Sequence, residues 1–124
     1  MRNTIAYNTI ADNLITVIPE FTDIYNDHVK YYEEVIPHLL FGEFTRFFID
    51  IYRISKNDSA QNDVVDRCVD FIEACFHSKD QNVVELAHVS FLENLFGEPE
   101  YEGIKNRLKS ATLKHLEMIE HPKK

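Results

Sequence analysis

The chain has 124 residues, 44% of them hydrophobic and 27% charged, with 3 Gly, 4 Pro and no Trp. That length and balance suit one domain with its own core, built without disulfide staples or low-complexity segments. The formal net charge of -8 argues against non-specific nucleic-acid binding, because a phosphate backbone repels it, and favours a basic partner.

Hydrophobic periodicity near 3.6 residues predicts about six helices and no strands. The first runs from about Asn3 to Val17, with Ile5, Ile10, Leu14 and Val17 towards the core. Pro19 ends it and opens the second, from about Glu20 to Glu34, whose broad apolar face carries Phe21, Ile24, Tyr25, His28, Val29 and Tyr32. Pro37 is read as a break. The third helix spans about Phe41 to Ser55 and is apolar around most of its circumference, which predicts a central, buried position.

The polar stretch Ser55–Asp63, SKNDSAQND, is a loop. The fourth helix spans about Ala60 to His77 and the fifth about Gln81 to Phe96, with Asp80 or Ser78 as N-cap and Gly97 then Pro99 as the stop. The sixth runs without interruption from about Tyr101 to Glu120, leaving HPKK, residues 121–124, as a frayed tail. The reading is one all-α domain over residues 1–124. Its helices form either an irregular orthogonal bundle or a short HEAT-like stack, since helices four and five have the form of a hairpin repeat.

No stretch approaches the roughly 18 apolar residues of a membrane span, and the N-terminus MRNTIAYNTIADNL has no signal-peptide pattern. Cys68 and Cys75 lie two turns apart on one apolar face, roughly 10 Å by helix rise, too far to bond each other. Both read as small core residues of a reducing compartment, so the expected location is cytoplasmic, with no membrane partner.

Charge is unevenly spread: residues 1–102 hold 7 Lys/Arg against 19 Asp/Glu, whereas residues 103–124 hold 6 against 2. Within the acidic part, DVVDRCVDFIE sets Asp63, Asp66, Asp70 and Glu73 on one helix face, relieved within the helix only by Arg67. Such a face is either merely solvated or an acidic docking strip. A second patch is Tyr31 with Glu33 and Glu34, since adjacent Tyr31 and Tyr32 point about 100° apart on a helix and one must reach the surface. An exposed Tyr among carboxylates is an anchor type common at protein interfaces.

Catalytic and metal motifs do not emerge. The six His residues and two Cys have no i,i+4 His pair and no Cys-x-x-Cys knuckle, and phosphate-loop, nucleophile-elbow and HExxH patterns are missing. Neither enzyme activity nor a cofactor or metal is therefore expected. Glu93, near the end of the fifth helix, is read as a bridge to Lys105, Arg107 or Lys109 of the sixth rather than as a catalytic carboxylate. Glu43 is read as an early-turn residue of the third helix.

In LLFGEFTRFFIDIY (residues 39–52) and HVSFLENL (residues 88–95) the chain resembles small, acidic, all-helical bacterial immunity proteins of contact-dependent inhibition and other polymorphic toxin systems. The resemblance implies a protein that binds and neutralises a cognate toxin domain, often a basic nuclease, and carries over no catalytic residue. The alternative is a helical adaptor with a non-toxin partner. Under either reading the partner-contacting residues are expected at Asp63, Asp66, Asp70 and Glu73, with Tyr31, Glu33 and Glu34 as the second patch.

Overall fold

A computed structural model describes residues 5–122. Every regular element among them is helical: α1 (Ile10–Val17), α2 (Thr22–Tyr32), α3 (Pro37–Ser55), α4 (Gln61–Phe76), α5 (Gln81–Ala87), α6 (Glu93–Leu95), α7 (Tyr101–Lys105) and α8 (Ser110–Glu120). A π-helical turn, His88–Leu92, joins α5 to α6 in one continuous rod. Short 3-10 turns, Tyr7–Thr9 and Pro19–Phe21, lead into α1 and α2. None of the helices among the described residues is long and apolar enough to cross a membrane.

α3 is the central helix, as its nearly all-round apolarity predicts. Leu40, Phe41, Phe44 and Phe48 are fully buried, and α3 packs against α4, α5, the π turn, α6 and α2. Phe44 is the hub of an aromatic cluster that takes in Phe21, Phe41, Phe47, Phe71 and Phe91 with ring centroids 5.6–6.3 Å apart. These separations suit edge-on and offset ring contacts, each worth about 0.5–1.5 kcal/mol beyond its buried area. One core runs from α1 through α8. Elements close around α3 as a bundle instead of touching only their neighbours along the chain, as a repeat stack would.

The structure corrects several boundaries. α3 begins at Pro37, not Phe41. Proline lacks an N–H that the first helical turn does not need, and its fixed φ suits that position, so Pro37 starts this helix while also ending the segment before it. The first helix begins at Ile10, with Asn3 and Thr4 lying outside the described residues. Here the backbone of residues 5–7 is engaged elsewhere: the Tyr7 N–H donates to the Asp80 carboxylate at 2.8 Å and the Ser78 hydroxyl donates to the Ile5 carbonyl. Asp80 also accepts from the Asn82 N–H and so caps α5, as the sequence predicts.

The largest correction concerns the last helix, which is two. α7 stops at Lys105, and Lys109 is extended (φ -102, ψ 178) before α8 starts at Ser110. Leu108 turns into the core in the gap. The new N-terminus of α8 would expose unsatisfied N–H groups. They are met from α4: the Glu73 carboxylate accepts from the N–H of Ala111 and of Thr112, both at 3.0 Å, and from the Thr112 hydroxyl at 2.9 Å.

Candidate functional site

The acidic face of α4 is solvent-facing but internally balanced. Asp63 pairs with Arg67, which also makes a two-pronged contact with Glu20 at 2.7 and 2.8 Å. Asp66 accepts from Arg107 at 2.6 Å, and Asp70 pairs with Lys109. Glu73 is the cap of α8 and is only 14% exposed at its side chain. Burial raises its carboxyl, but hydrogen bonds from Thr112, Ala111 and His77 outweigh that and hold it below the usual carboxylate range. The chain's basic end therefore lies against its acidic strip, and the residues Arg107 and Lys109 that were expected to meet Glu93 meet Asp66 and Asp70.

Glu93 makes none of the expected contacts with the last helices. Its side chain is half exposed, and its partner is His88, 3.8 Å away. Lys105 pairs instead with Glu120 at 2.8 Å, an oxygen that Tyr101 also reaches through its hydroxyl. Those two donors hold the Glu120 carboxyl low, Lys105 contributing most.

His88, His115 and His38 also make defined contacts. His88 and His115 face each other through their Nδ1 atoms at 3.2 Å, and His115 stacks on Phe76 with ring centroids 4.3 Å apart. Burial, then the neighbouring His88, lowers the His115 pKa. His115 lies in the middle of α8. His38 Nδ1 lies 2.5 Å from the Ser90 hydroxyl in the π turn, where the Ser90 carbonyl accepts from the Thr45 hydroxyl and the Asn94 side-chain amide. Cys68 and Cys75 are free and fully buried, and burial pushes both thiols up, away from the reactive thiolate.

The second patch is built differently. α2 buries one residue fully, His28. The Ile36 N–H donates to His28 Nε2 at 3.0 Å, so the ring proton must sit on Nδ1, from which it is donated to Glu43 Oε1 at 3.0 Å. These two bonds clamp the end of α2 to α3 and to the connection between them. Glu43 therefore faces α2 from the second turn of α3. The Tyr31 and Tyr32 rings stand at 86° with centroids 4.8 Å apart, and Tyr32 leans on His28, also at 4.8 Å.

Ile24, Asp27, His28, Tyr31, Tyr32 and Glu43 line a cavity of about 240 Å³ that opens to solvent. Glu93 is not among its walls, so the two carboxylates flagged in the sequence do not meet there. Tyr31 is 80% exposed, far more than any other large hydrophobic residue of the described chain. α2 then ends on Glu33, held at φ 62 with its N–H donating to the Val29 carbonyl at 2.7 Å. A left-handed helix end is usually glycine, and a side chain there costs roughly 1–2 kcal/mol.

Asp27, Glu33 and Glu34 have no basic side chain within ion-pair distance among the described residues, in contrast to the strip on α4. Of the expected contact residues, then, Tyr31, Glu33 and Glu34 lie together at the exposed end of α2. Asp63, Asp66 and Asp70 lie together on α4 but face internal cations. Asp27 was expected beside Tyr31, whereas His28 and Glu43 join this patch without having been connected with it from the sequence. An available signal was the i,i+4 spacing of His28 and Tyr32 on one helix face, with Asp27 and Tyr31 beside them at the same spacing.

Neither the curated proteins nor the solved structures contain a match to this chain. A family match covers residues 11–121, from α1 to the end of α8. The chain belongs to the family described as Domain of unknown function (DUF7674).

Proposed function

We propose that this chain is a non-catalytic binding protein that neutralises a basic toxin domain by stoichiometric association, with the exposed end of α2 as its principal contact. The observation that carries this reading is the contrast between its two acidic faces. Carboxylates on α4 are matched by Arg67, Arg107 and Lys109, whereas the end of α2 sets a protruding Tyr31 among Asp27, Glu33 and Glu34. A partner docking on α4 would first have to break internal pairs. One docking on α2 meets carboxylates that make no ion pair among the described residues, together with an aromatic anchor of the kind that dominates interface energetics.

The net charge of -8 supplies the long-range part. It accelerates encounter with a positively charged partner and makes that rate fall with salt. The resemblance in residues 39–52 and 88–95 favours a toxin over another basic partner. A co-expression assay tests the reading. The basic protein recovered with this chain from its source cells should arrest growth when expressed alone, and growth should return when this chain is co-expressed at equal level. Binding without growth rescue would instead identify an adaptor.

A further inference from the structure

We propose that the cavity between α2 and α3 is a receptor for one arginine side chain of the partner. This inference rests on the binding-protein reading above and specifies the chemistry at its centre. Two perpendicular tyrosine rings form an aromatic corner, and their faces carry the negative potential that attracts a cation. Asp27 and Glu43 supply carboxylates at the same cavity. Glu43 spends Oε1 on His28, while Oε2 receives no protein donor among the described residues. His28 is held by two hydrogen bonds, so the carboxylate it positions is set before any ligand arrives.

Size narrows the occupant. The volume of about 240 Å³ lies below the roughly 300–1,000 Å³ of ordinary small-molecule sites, and suits a single long side chain. Charge narrows it further. His28 is the only cavity wall that could carry positive charge, and its Nε2 is occupied as an acceptor, so apart from Ile24 the lining is acidic and aromatic. Guanidinium fits better than ammonium because it is planar, stacks on a ring face and can fork onto a carboxylate. The left-handed Glu33 turns the chain immediately after Tyr32 and leaves Tyr31 at the rim. Strain kept beside an exposed anchor points in the same direction.

Titration of the full chain with Nα-acetyl-arginine amide, followed by backbone amide chemical shifts, tests the assignment. Saturable shifts should centre on residues 24–32 and 43. The neutral isostere Nα-acetyl-citrulline amide should give none, and the lysine amide should bind more weakly. Tyr31→Ala should weaken arginine binding roughly two- to fivefold, the range for an exposed cation–π contact. Glu43→Gln keeps an acceptor for His28 but removes the charge, and should weaken it further. Equal shifts with citrulline, equal binding of lysine, or shifts centred on residues 63–73 would overturn the proposal.

The growth-rescue assay separates this inference from the reading beneath it. If Tyr31→Ala combined with Glu43→Gln loses arginine binding yet rescues fully, the cavity is not the partner's anchor, and the proposal falls while the binding-protein reading stands. If wild type binds arginine amide at the cavity but neutralises no basic partner, the receptor assignment stands and the toxin reading falls.

Discussion

Replacing Glu73 by Ala should be the most damaging single change on the acidic face, although the sequence presents it as one of four equivalent carboxylates. Its carboxylate accepts two backbone N–H groups and a hydroxyl at the start of α8. One of the donor residues, Thr112, is fully buried. Loss of a helix cap costs about 0.5–2 kcal/mol and stranding buried donors about 1–3 kcal/mol, so the expected loss is about 2–4 kcal/mol. The exposed pair Asp70–Lys109 is worth about 0–1 kcal/mol. Urea unfolding of Glu73→Ala beside Asp70→Ala measures the difference, as a lower midpoint at unchanged slope. Equal midpoints for the two variants would refute the cap. The sign with pH is also fixed. A carboxyl held below its unfolded value stabilises the fold above that value, about 4.3, and loses this as pH falls through the folded value. The gap between wild type and Glu73→Gln should therefore narrow below about pH 4.

The other predictions concern single contacts. Glu33→Gly should raise stability by about 1 kcal/mol, read from thermal or urea unfolding, because glycine accepts φ 62 without a steric cost. Gly103→Ala should lower it by about 1–3 kcal/mol, since the new Cβ would overlap the buried Tyr52 hydroxyl and sit 3.2 Å from its ring carbon Cζ. His115, lowered by burial and by His88, stabilises the fold above its unfolded value and loses this as pH falls through the lowered one. Wild type should therefore lose stability on acidification from neutrality past about pH 6.5, and His115→Gln should show a shallower loss in the same urea series.

Local periodicity carried the helical class, the central place of α3 and the buried face of α4, because each depends on residues within two or three turns. What it missed depends on distant partners. The break before α8 has no Gly or Pro to announce it, and RLKSAT holds only Ser110 and Thr112 as weak start signals. The decisive acceptor is Glu73, on another helix. The π turn is similarly held by Thr45 and Asn94 through the Ser90 carbonyl. Reading the α4 strip as unbalanced followed from looking along one helix, since Arg107 and Lys109 arrive from the far end of the chain. Tyr31 could be flagged from helical geometry alone. The cavity beside it could not, because Glu43 enters from α3 and is oriented by a buried histidine.

The most direct test of the central claim is recovery of the tagged chain from its source cells in three forms, each washed at low and moderate salt. The forms are wild type, Tyr31→Ala with Asp27→Asn, and Asp66→Asn with Asp70→Asn. Wild type and the α4 variant should retain a stoichiometric basic protein that moderate salt weakens, and the α2 variant should lose it. Retention by the α2 variant with loss by the α4 variant would contradict that claim, as would a partner that carries no excess of positive charge.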